Sequence, residues 1–73
     1  MSIRTVVAKN LRRLRHDRGM SQEELADRAS VDRTYVSSLE REQYAASIDM
    51  LAKLASALEV EPIEFFRNEE PTG

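Results

Sequence analysis

Four polar side chains share one face of the segment 31–41, whose sequence is VDRTYVSSLER. At about 100° per residue of helix, Val36 and Leu39 point to one side of this segment. The four side chains that lie opposite them are Thr34, Ser37, Ser38 and Arg41. None of the four is acidic or bulky and apolar. Hydroxyl and guanidinium groups in this pattern could form hydrogen bonds to a partner, and short side chains would let the helix backbone approach it closely.

A solvated surface and a DNA-reading surface are the two interpretations of this face. A solvated helix face more often mixes lysine and glutamate. The major groove of DNA is about 12 Å wide and admits a helix with a small polar face. Arg33, near the helix start, could donate two hydrogen bonds to O6 and N7 of guanine. The pattern therefore favours a DNA-reading helix.

Residues that support catalysis or metal binding are scarce in this chain. It has no cysteine and a single histidine, His16, which excludes thiolate and multi-histidine metal sites. Glu23 and Glu24 are a carboxylate pair, but one helix cap and one exposed residue explain them. The sequence shows no nucleophile–base pair and no glycine-rich phosphate loop. We therefore expect no enzyme activity, no metal, no cofactor and no small-molecule ligand.

The length of 73 residues limits the chain to one small domain. A domain of this size buries a marginal core, and without disulfides oligomerisation is the remaining means of adding stability. No apolar run approaches the roughly 20 residues that span a bilayer. The first ten residues lack the apolar segment of a signal peptide. We therefore expect a cytoplasmic protein that does not contact a membrane.

Charge is distributed unevenly along the chain, although the net charge is only −2. Residues 1–20 carry six basic side chains and one acidic one, whereas residues 46–73 carry two basic and six acidic ones. This asymmetry suits a basic end that faces phosphates and an acidic end that faces solvent or a partner. For Arg12 and Arg13, within the basic end, we favour a solvated helix surface over phosphate contact.

Helical periodicity accounts for the chain without any strand pattern. Apolar residues three or four positions apart predict a first helix, which ends at Gly19 as a left-handed C-cap. Ser21 and Glu24 form the pattern of a capping box. The predicted N-caps of helices two, three and four are Ser21, Asp32 and Ser47. Pro62 suits the first turn of a short fifth helix. We predict an all-α, five-helix domain over residues 1–67 and a polar tail at 68–73.

Residues 5–66 resemble the lambda-repressor-like, Cro-type (XRE) helix-turn-helix regulators. The resemblance is carried by the runs LRRLRHDRGMSQEELADRASVDRTYVSSLERE and SIDMLAKLASALEVEPIEFF. It implies a five-helix fold, double-stranded DNA as partner, and helix 32–41 in the major groove. The base-reading positions it implies are Arg33, Thr34, Ser37 and Ser38. The implied DNA-backbone contacts are Gln22, Tyr35, Arg41, Gln43 and Tyr44. The implied structural ion pair is Arg15 and Glu40.

Two positions depart from the family pattern, which usually has glycine there. The turn after helix two has Ser30, and the residue after helix three is Glu42. A left-handed backbone would cost free energy at a residue other than glycine. The loop 42–47, EQYAAS, also lacks the basic residues that are common there, so these changes affect affinity more than fold.

Surplus apolar residues in the fourth and fifth helices favour a homodimer. On the fourth-helix wheel the apolar side is wider than one core-facing stripe requires. Phe65 and Phe66 are adjacent and cannot both point inward. The predicted interface residues are Met50, Leu54, Val60, Ile63, Phe65 and Phe66. The alternative is that this surface only completes the core of a monomer.

A narrower resemblance links DRTYVSSLER and VEPIEFF to the controller proteins of restriction–modification systems, which are small homodimeric regulators. It implies a transcriptional regulator that binds a pseudo-palindromic operator. Two alternatives remain open at this point. One is an antitoxin-like regulator that also neutralises a toxin. The other is a helical protein-interaction module without DNA binding, which the acidic Glu42 favours and the polar reading face disfavours.

Overall fold

The computed structural model describes residues 2–67, all of whose regular elements are helical. The α-helices are α1 (Ile3–Asp17), α2 (Gln22–Ala29), α3 (Arg33–Glu40) and α4 (Ile48–Leu58). These match the all-α prediction. The predicted fifth helix is present as a short 3-10 helix, Pro62–Phe66, and not as an α-helix. The predicted polar tail, 68–73, lies outside the described residues.

The fifth element is 3-10 because it is only five residues long. The backbone N–H of Glu64 donates to the carbonyl of Glu61 at 2.9 Å, a bond that spans three residues. Short segments favour this tighter turn. Pro62 occupies its first turn, as expected from its fixed φ and missing N–H.

Each α-helix begins after a polar N-cap residue. The sequence predicted this residue for α2, α3 and α4 but not for α1. The N-cap side chains that accept a backbone N–H from the first turn are Ser2, Ser21, Asp32 and Ser47. Ser21 accepts the N–H of Glu24 at 3.0 Å. The Glu24 carboxylate accepts a hydrogen bond from Arg28 at 2.8 Å. In this capping box the glutamate side chain therefore pairs along its own helix.

The helix ends contain four left-handed residues, and three of them are not glycine. Gly19 follows α1 with φ 66°, as predicted. Ser30, Glu42 and Glu59 follow α2, α3 and α4 with φ values of 59°, 61° and 60°. The left-handed conformation costs such residues about 1–2 kcal/mol each. At these three helix ends the backbone is therefore strained, whereas glycine would adopt the same conformation without strain.

The core lies where α1, α2, α3, α4 and the 3-10 helix meet. The apolar residues that α3 contributes to the core are Val36 and Leu39, the two that the helical wheel predicted to point inward. Leu54 and Phe65 have 0% exposure, and Phe65 is among the largest fully buried side chains. The prediction that Leu54 and Phe65 lie in a dimer interface is therefore wrong, because a partner cannot cover surface that the chain itself buries.

The remaining predicted interface residues keep some exposed surface. Met50 and Val60 are partly buried against the core. Ile63 is 67% exposed and Phe66 is 41% exposed. Of the adjacent phenylalanines, Phe65 points inward and Phe66 outward, which settles which of the two a partner could contact.

We expect Ser30→Gly to raise the free energy of unfolding by about 1 kcal/mol, because glycine removes the left-handed strain. For a domain of this size that corresponds to a rise in Tm of roughly 4–8 °C. Chemical denaturation followed by circular dichroism measures the change. The matched control is Ser56→Gly in the exposed interior of α4, where the same substitution should cost about 0.5–1 kcal/mol. A loss of stability in Ser30→Gly would contradict the strain.

Candidate nucleic-acid interface

A tight turn joins α2 to α3 and sets the angle between them. Ser30 closes α2 in the left-handed conformation, and the N–H of Val31 bonds back to the carbonyl of Ala26 at 2.9 Å. Val31 packs against the core. Asp32 then caps α3 by accepting the N–H of Thr34 at 2.9 Å. The turn thus has an apolar anchor and a polar cap on successive residues.

The polar face predicted for α3 is the face that points away from the core. Arg33 and Thr34 are exposed, and Ser37 and Ser38 are half-buried on the same helix. Arg41, exposed, forms the C-cap. The structure therefore places the predicted base-reading residues on one helix, and Arg41 follows them as its C-cap.

The Thr34 hydroxyl is also engaged within the chain, because it donates a short hydrogen bond to the Asp32 carboxylate. This bond and the one from the Thr34 backbone N–H lower the pKa of Asp32, with the Arg33 charge as a weaker contribution. The carboxylate is thus held ionised at the α3 N-terminus, where the helix dipole favours negative charge. The Thr34 oxygen keeps lone pairs that can accept a hydrogen bond from a base.

A buried ion pair joins α1 to the last residue of α3. Arg15 Nε donates to Glu40 Oε2 at 2.7 Å, and Arg15 Nη2 donates to Glu40 Oε1 at 3.0 Å. Arg15 is 9% exposed and Glu40 is 3% exposed. Burial raises the pKa of Glu40. Hydrogen bonds from Arg15 and Gln22 and the charges of Arg15 and Arg12 outweigh burial, so the net pKa lies below the ordinary value.

Gln22 and Arg12 add further contacts at Glu40. Gln22 Nε2 donates to Glu40 Oε1 at 3.1 Å. Arg12 Nη2 donates to the Glu40 backbone carbonyl at 2.7 Å, which caps the end of α3. Arg12 is exposed, as expected for solvated helix surface, and it also binds the end of α3. Gln22, the implied phosphate contact, is oriented by the same carboxylate that holds Arg15.

Other polar side chains of α1 also bind the ends of neighbouring helices. Arg18 Nη2 donates to the carbonyl of Glu59 at 3.3 Å, beyond α4. Asn10 Nδ2 donates to the carbonyls of Phe65 and Arg67 at 2.9 and 2.8 Å. Three of the six basic residues in 1–20, Arg12, Arg15 and Arg18, thus donate to protein carbonyls. Asn10 was missed, although it lies on the apolar side of α1 beside Leu14, where a polar residue needs a partner.

The loop 42–47 is tied both to α3 and to α1. Tyr44 packs edge-on against Tyr35, with ring centroids 4.8 Å apart and planes at 74°. The N–H of Gln43 bonds to the carbonyl of Ser38 at 2.9 Å. Thr5 Oγ1 donates to Glu42 Oε1 at 2.6 Å, which turns that carboxylate toward α1. Tyr44 therefore contacts Tyr35, in the first turn of α3, and Gln43 is bonded to the second half of the same helix.

At the near end of α3, an open cleft separates it from the start of α2. Arg15, Ser21, Gln22, Glu23 and Arg33 line this cleft. Gln22 and Arg33 therefore face one space.

Over residues 2–67, no three histidine, cysteine or acidic side chains form a group that could hold a metal ion. Within the same range, no helix is long and apolar enough to cross a membrane.

Fold and surface together define a helix-turn-helix domain of the DNA-binding class. The helix-turn-helix family model HTH_3 matches residues 11–65, and the chain belongs to this family of DNA-binding transcription regulators. The resemblance to Cro-type regulators is confirmed. The family match does not assign roles to single residues, so the base and backbone contacts stay predictions.

Curated relatives carry names of regulators. A hypothetical transcription factor of Neisseria meningitidis is 45% identical over 80% of this chain and 55% of its own length. The chain thus spans about half of that relative. The control protein C.SmaI of Serratia marcescens is 38% identical over 80% of this chain and 69% of its own length.

Solved structures agree with the fold. The Neisseria transcription factor superposes with a TM-score of 0.91 at 38% identity, covering 94% of this chain and 79% of that one. The restriction–modification controller C.AhdI of Aeromonas hydrophila gives 0.84 at 43% identity, covering 86% and 96%. The controller C.Esp1396I, solved as a tetramer with its natural 35-base-pair operator, gives 0.83 at 33% identity, covering 90% and 87%.

We expect Glu40→Gln to lower the free energy of unfolding by about 3 kcal/mol, because it leaves the buried Arg15 charge without its counterion. The pKa of Glu40 is lowered in the folded state. Its contribution is therefore full above the unfolded value of about 4.3 and is lost as pH falls through the lower folded value. Denaturant unfolding of both proteins across acidic pH measures the effect.

The matched control is Glu24→Gln, which breaks the exposed pair with Arg28. This change should alter stability by no more than about 0.5 kcal/mol. The Glu40→Gln protein should lose less stability than the wild type as the pH falls below about 5. Parallel acid profiles for the two proteins would contradict a pKa of Glu40 that is lowered by folding.

Proposed function

We propose that this chain is a homodimeric transcriptional regulator of the restriction–modification controller type, which inserts α3 into the major groove of operator DNA. The observation that carries the proposal is the exposed polar face of α3, held in place by the Arg15–Glu40 pair. The family match and the named controllers among the relatives support it. No ligand is needed for this activity, since a short helix of this kind can read base edges directly.

Base reading is assigned to the first two turns of α3. Arg33 is exposed in the first turn and can form a bidentate contact with guanine. The hydroxyls that complete the surface are Thr34, Ser37 and Ser38. Because the Asp32 carboxylate already binds the Thr34 hydroxyl proton, we assign Thr34 the role of an acceptor.

Phosphate contacts are assigned to the two ends of the helix-turn-helix. Gln22 stands at the start of α2, where backbone N–H groups and the helix dipole also favour a phosphate. Its side chain is oriented by Glu40, so the remaining amide hydrogen can point outward. The contacts at the other end are Arg41, Gln43 and Tyr44. Tyr35, in the first turn of α3, joins them through its ring contact with Tyr44.

A two-fold dimer would place two copies of α3 about 34 Å apart, one turn of DNA. This geometry requires a pseudo-palindromic operator. The C.Esp1396I relative assembles as a tetramer on a natural operator, which supports assembly of copies on DNA. We further infer that this chain acts by binding and not by catalysis, and that it works in the cytoplasm, where its DNA is.

We expect Arg33→Ala to weaken binding to the specific site by about 1–3 kcal/mol and to relax the preference at one base pair. The assay is fluorescence anisotropy with the DNA upstream of the protein's own gene and a scrambled duplex. The control is Arg67→Ala, which removes an exposed arginine from beyond the 3-10 helix and should leave affinity unchanged. If the upstream DNA is not bound specifically, a site selected from random DNA replaces it. Failure to select any specific site would sink the proposal.

Arg41→Ala should act differently, because Arg41 is assigned to the phosphate backbone. We expect affinity to fall for specific and scrambled duplexes alike, and the slope of log K against log salt to become shallower by about one. Titrations at four salt concentrations measure both quantities. A selective loss at the specific site, with an unchanged slope, would reassign Arg41 to base reading.

A further inference from the structure

Glu42 occupies a position where a negative charge is unfavourable for the proposed function. It lies between Arg41 and Gln43, two residues assigned to the DNA backbone. Its own backbone is tied to the reading helix, because its N–H bonds to the carbonyl of Leu39 at 3.1 Å. A carboxylate carried this close to the contact with DNA repels phosphates unless it is directed elsewhere.

The backbone conformation of Glu42 is also costly. Its φ of 61° is left-handed, a conformation that glycine adopts without strain and that other residues adopt at a cost in free energy. Strained residues of this kind persist where surrounding contacts hold them, and they cluster at functional sites. The contact made by the Glu42 carboxylate is therefore a candidate for such a function.

The Glu42 carboxylate contacts the start of α1, 37 residues away in the sequence. Thr5 Oγ1 donates a hydrogen bond to Glu42 Oε1 at 2.6 Å. The Thr5 oxygen also lies 3.1 Å from the Ser2 hydroxyl. Because the single hydroxyl proton of Thr5 is directed to Glu42, the Ser2 hydroxyl is the donor in this second bond. Hydrogen bonds in series strengthen one another, so the two hydroxyls hold the carboxylate together.

The helix dipole of α1 also favours the carboxylate at this position. Thr5 is in the first turn of α1, whose N-cap is Ser2. The N-terminal end of a helix carries a partial positive charge, which a nearby acidic side chain stabilises. The first turn of α1 contains no acidic residue of its own. Glu42 therefore supplies, from another part of the chain, the negative charge that this helix end lacks.

The same side of α1 holds the end of α3 at a second point. Arg12 lies seven residues after Thr5, about two helical turns further on, and donates to the carbonyl of Glu40 at 2.7 Å. Ala8, on the same side of the helix, is buried. The first helix therefore fixes the end of α3 through Arg12 and the residue that follows its C-cap through Thr5.

We propose that Thr5 is a positioning residue for DNA binding, which holds the Glu42 carboxylate at the N-terminus of α1 and so keeps its charge away from the phosphates. The inference rests on the proposed function and deepens it, because it adds a residue that acts without contacting DNA. The acidic residue of loop 42–47 is made harmless by its position and not by a counterion. Arg41 and Gln43 then contact phosphates without a repelling neighbour.

The test is a double-mutant cycle of Thr5→Val and Glu42→Gln, measured by fluorescence anisotropy with the specific duplex and a scrambled one. Valine has the shape of threonine without the hydroxyl, and glutamine keeps the acceptor oxygen without the charge. Thr5→Val alone should weaken binding to both duplexes about threefold to tenfold, because the released carboxylate repels phosphates. Thr5→Val added to Glu42→Gln should change affinity less than about twofold, since no charge is released.

The matched control is Thr5→Ser, which keeps the hydroxyl and should bind both duplexes as the wild type does. Glu42→Gln alone should also bind as the wild type does, since the charge that it removes is already held away from DNA. The deficit of Thr5→Val should shrink between about 50 and 200 mM salt, because salt screens exposed charges. Thr5 is half-buried and Glu42 is exposed, so all variants should keep the fold, which far-ultraviolet circular dichroism checks.

An equal loss from Thr5→Val with and without Glu42→Gln would overturn the proposal, because Thr5 would then only order the loop. Tighter binding by Glu42→Gln, as large as the loss from Thr5→Val, would also overturn it, because the carboxylate would then repel DNA in the native chain. Unchanged binding by Thr5→Val would remove the role of Thr5 and leave the proposed function standing. A wild-type protein that binds neither the upstream DNA nor a selected site would contradict the proposed function, and this inference with it.

Discussion

The bidentate pair between Arg15 and Glu40 is the interaction on which the rest of the arrangement depends. It joins the long first helix to the last residue of α3, so it fixes where the reading helix lies. A buried pair of charges is tolerable only when its remaining hydrogen-bonding groups are also satisfied. Here Arg15 also donates to the carbonyl of Met20, and Gln22 donates to Glu40. The network therefore links α1, the start of α2 and the end of α3 in one contact.

The first helix serves as a polar scaffold as well as a part of the core. The last carbonyls of a helix have no partner within it, and a domain of this size has few other elements to supply one. Arg12, Arg18 and Asn10 donate to the carbonyl ends of α3, α4 and the 3-10 helix. These basic residues therefore satisfy carbonyl groups at helix ends in addition to carrying charge.

A small domain with strained helix ends gains from association on its target. Three helices close with left-handed residues that are not glycine, and the polar face of α3 contributes little to the core. Stability is therefore drawn from the inner sides of the helices and from polar capping. In the proposed homodimer, a second copy would add stability by covering apolar side chains that one copy leaves exposed, such as Ile48.

Local pattern alone determined the four α-helices, the caps of α2, α3 and α4, and the outward face of α3. A helix start needs one side chain and an N–H two or three residues away, so Ser21, Asp32 and Ser47 could be assigned without any fold. Helical periodicity predicted that Val36 and Leu39 point inward, and the family resemblance predicted the Arg15–Glu40 ion pair. The tertiary structure alone decided the partners of Asn10, Arg12 and Arg18, and the burial of Leu54 and Phe65. Asn10 and the carbonyl of Phe65 are 55 residues apart in the chain. Such partners depend on which helix ends come together, and no local pattern specifies that.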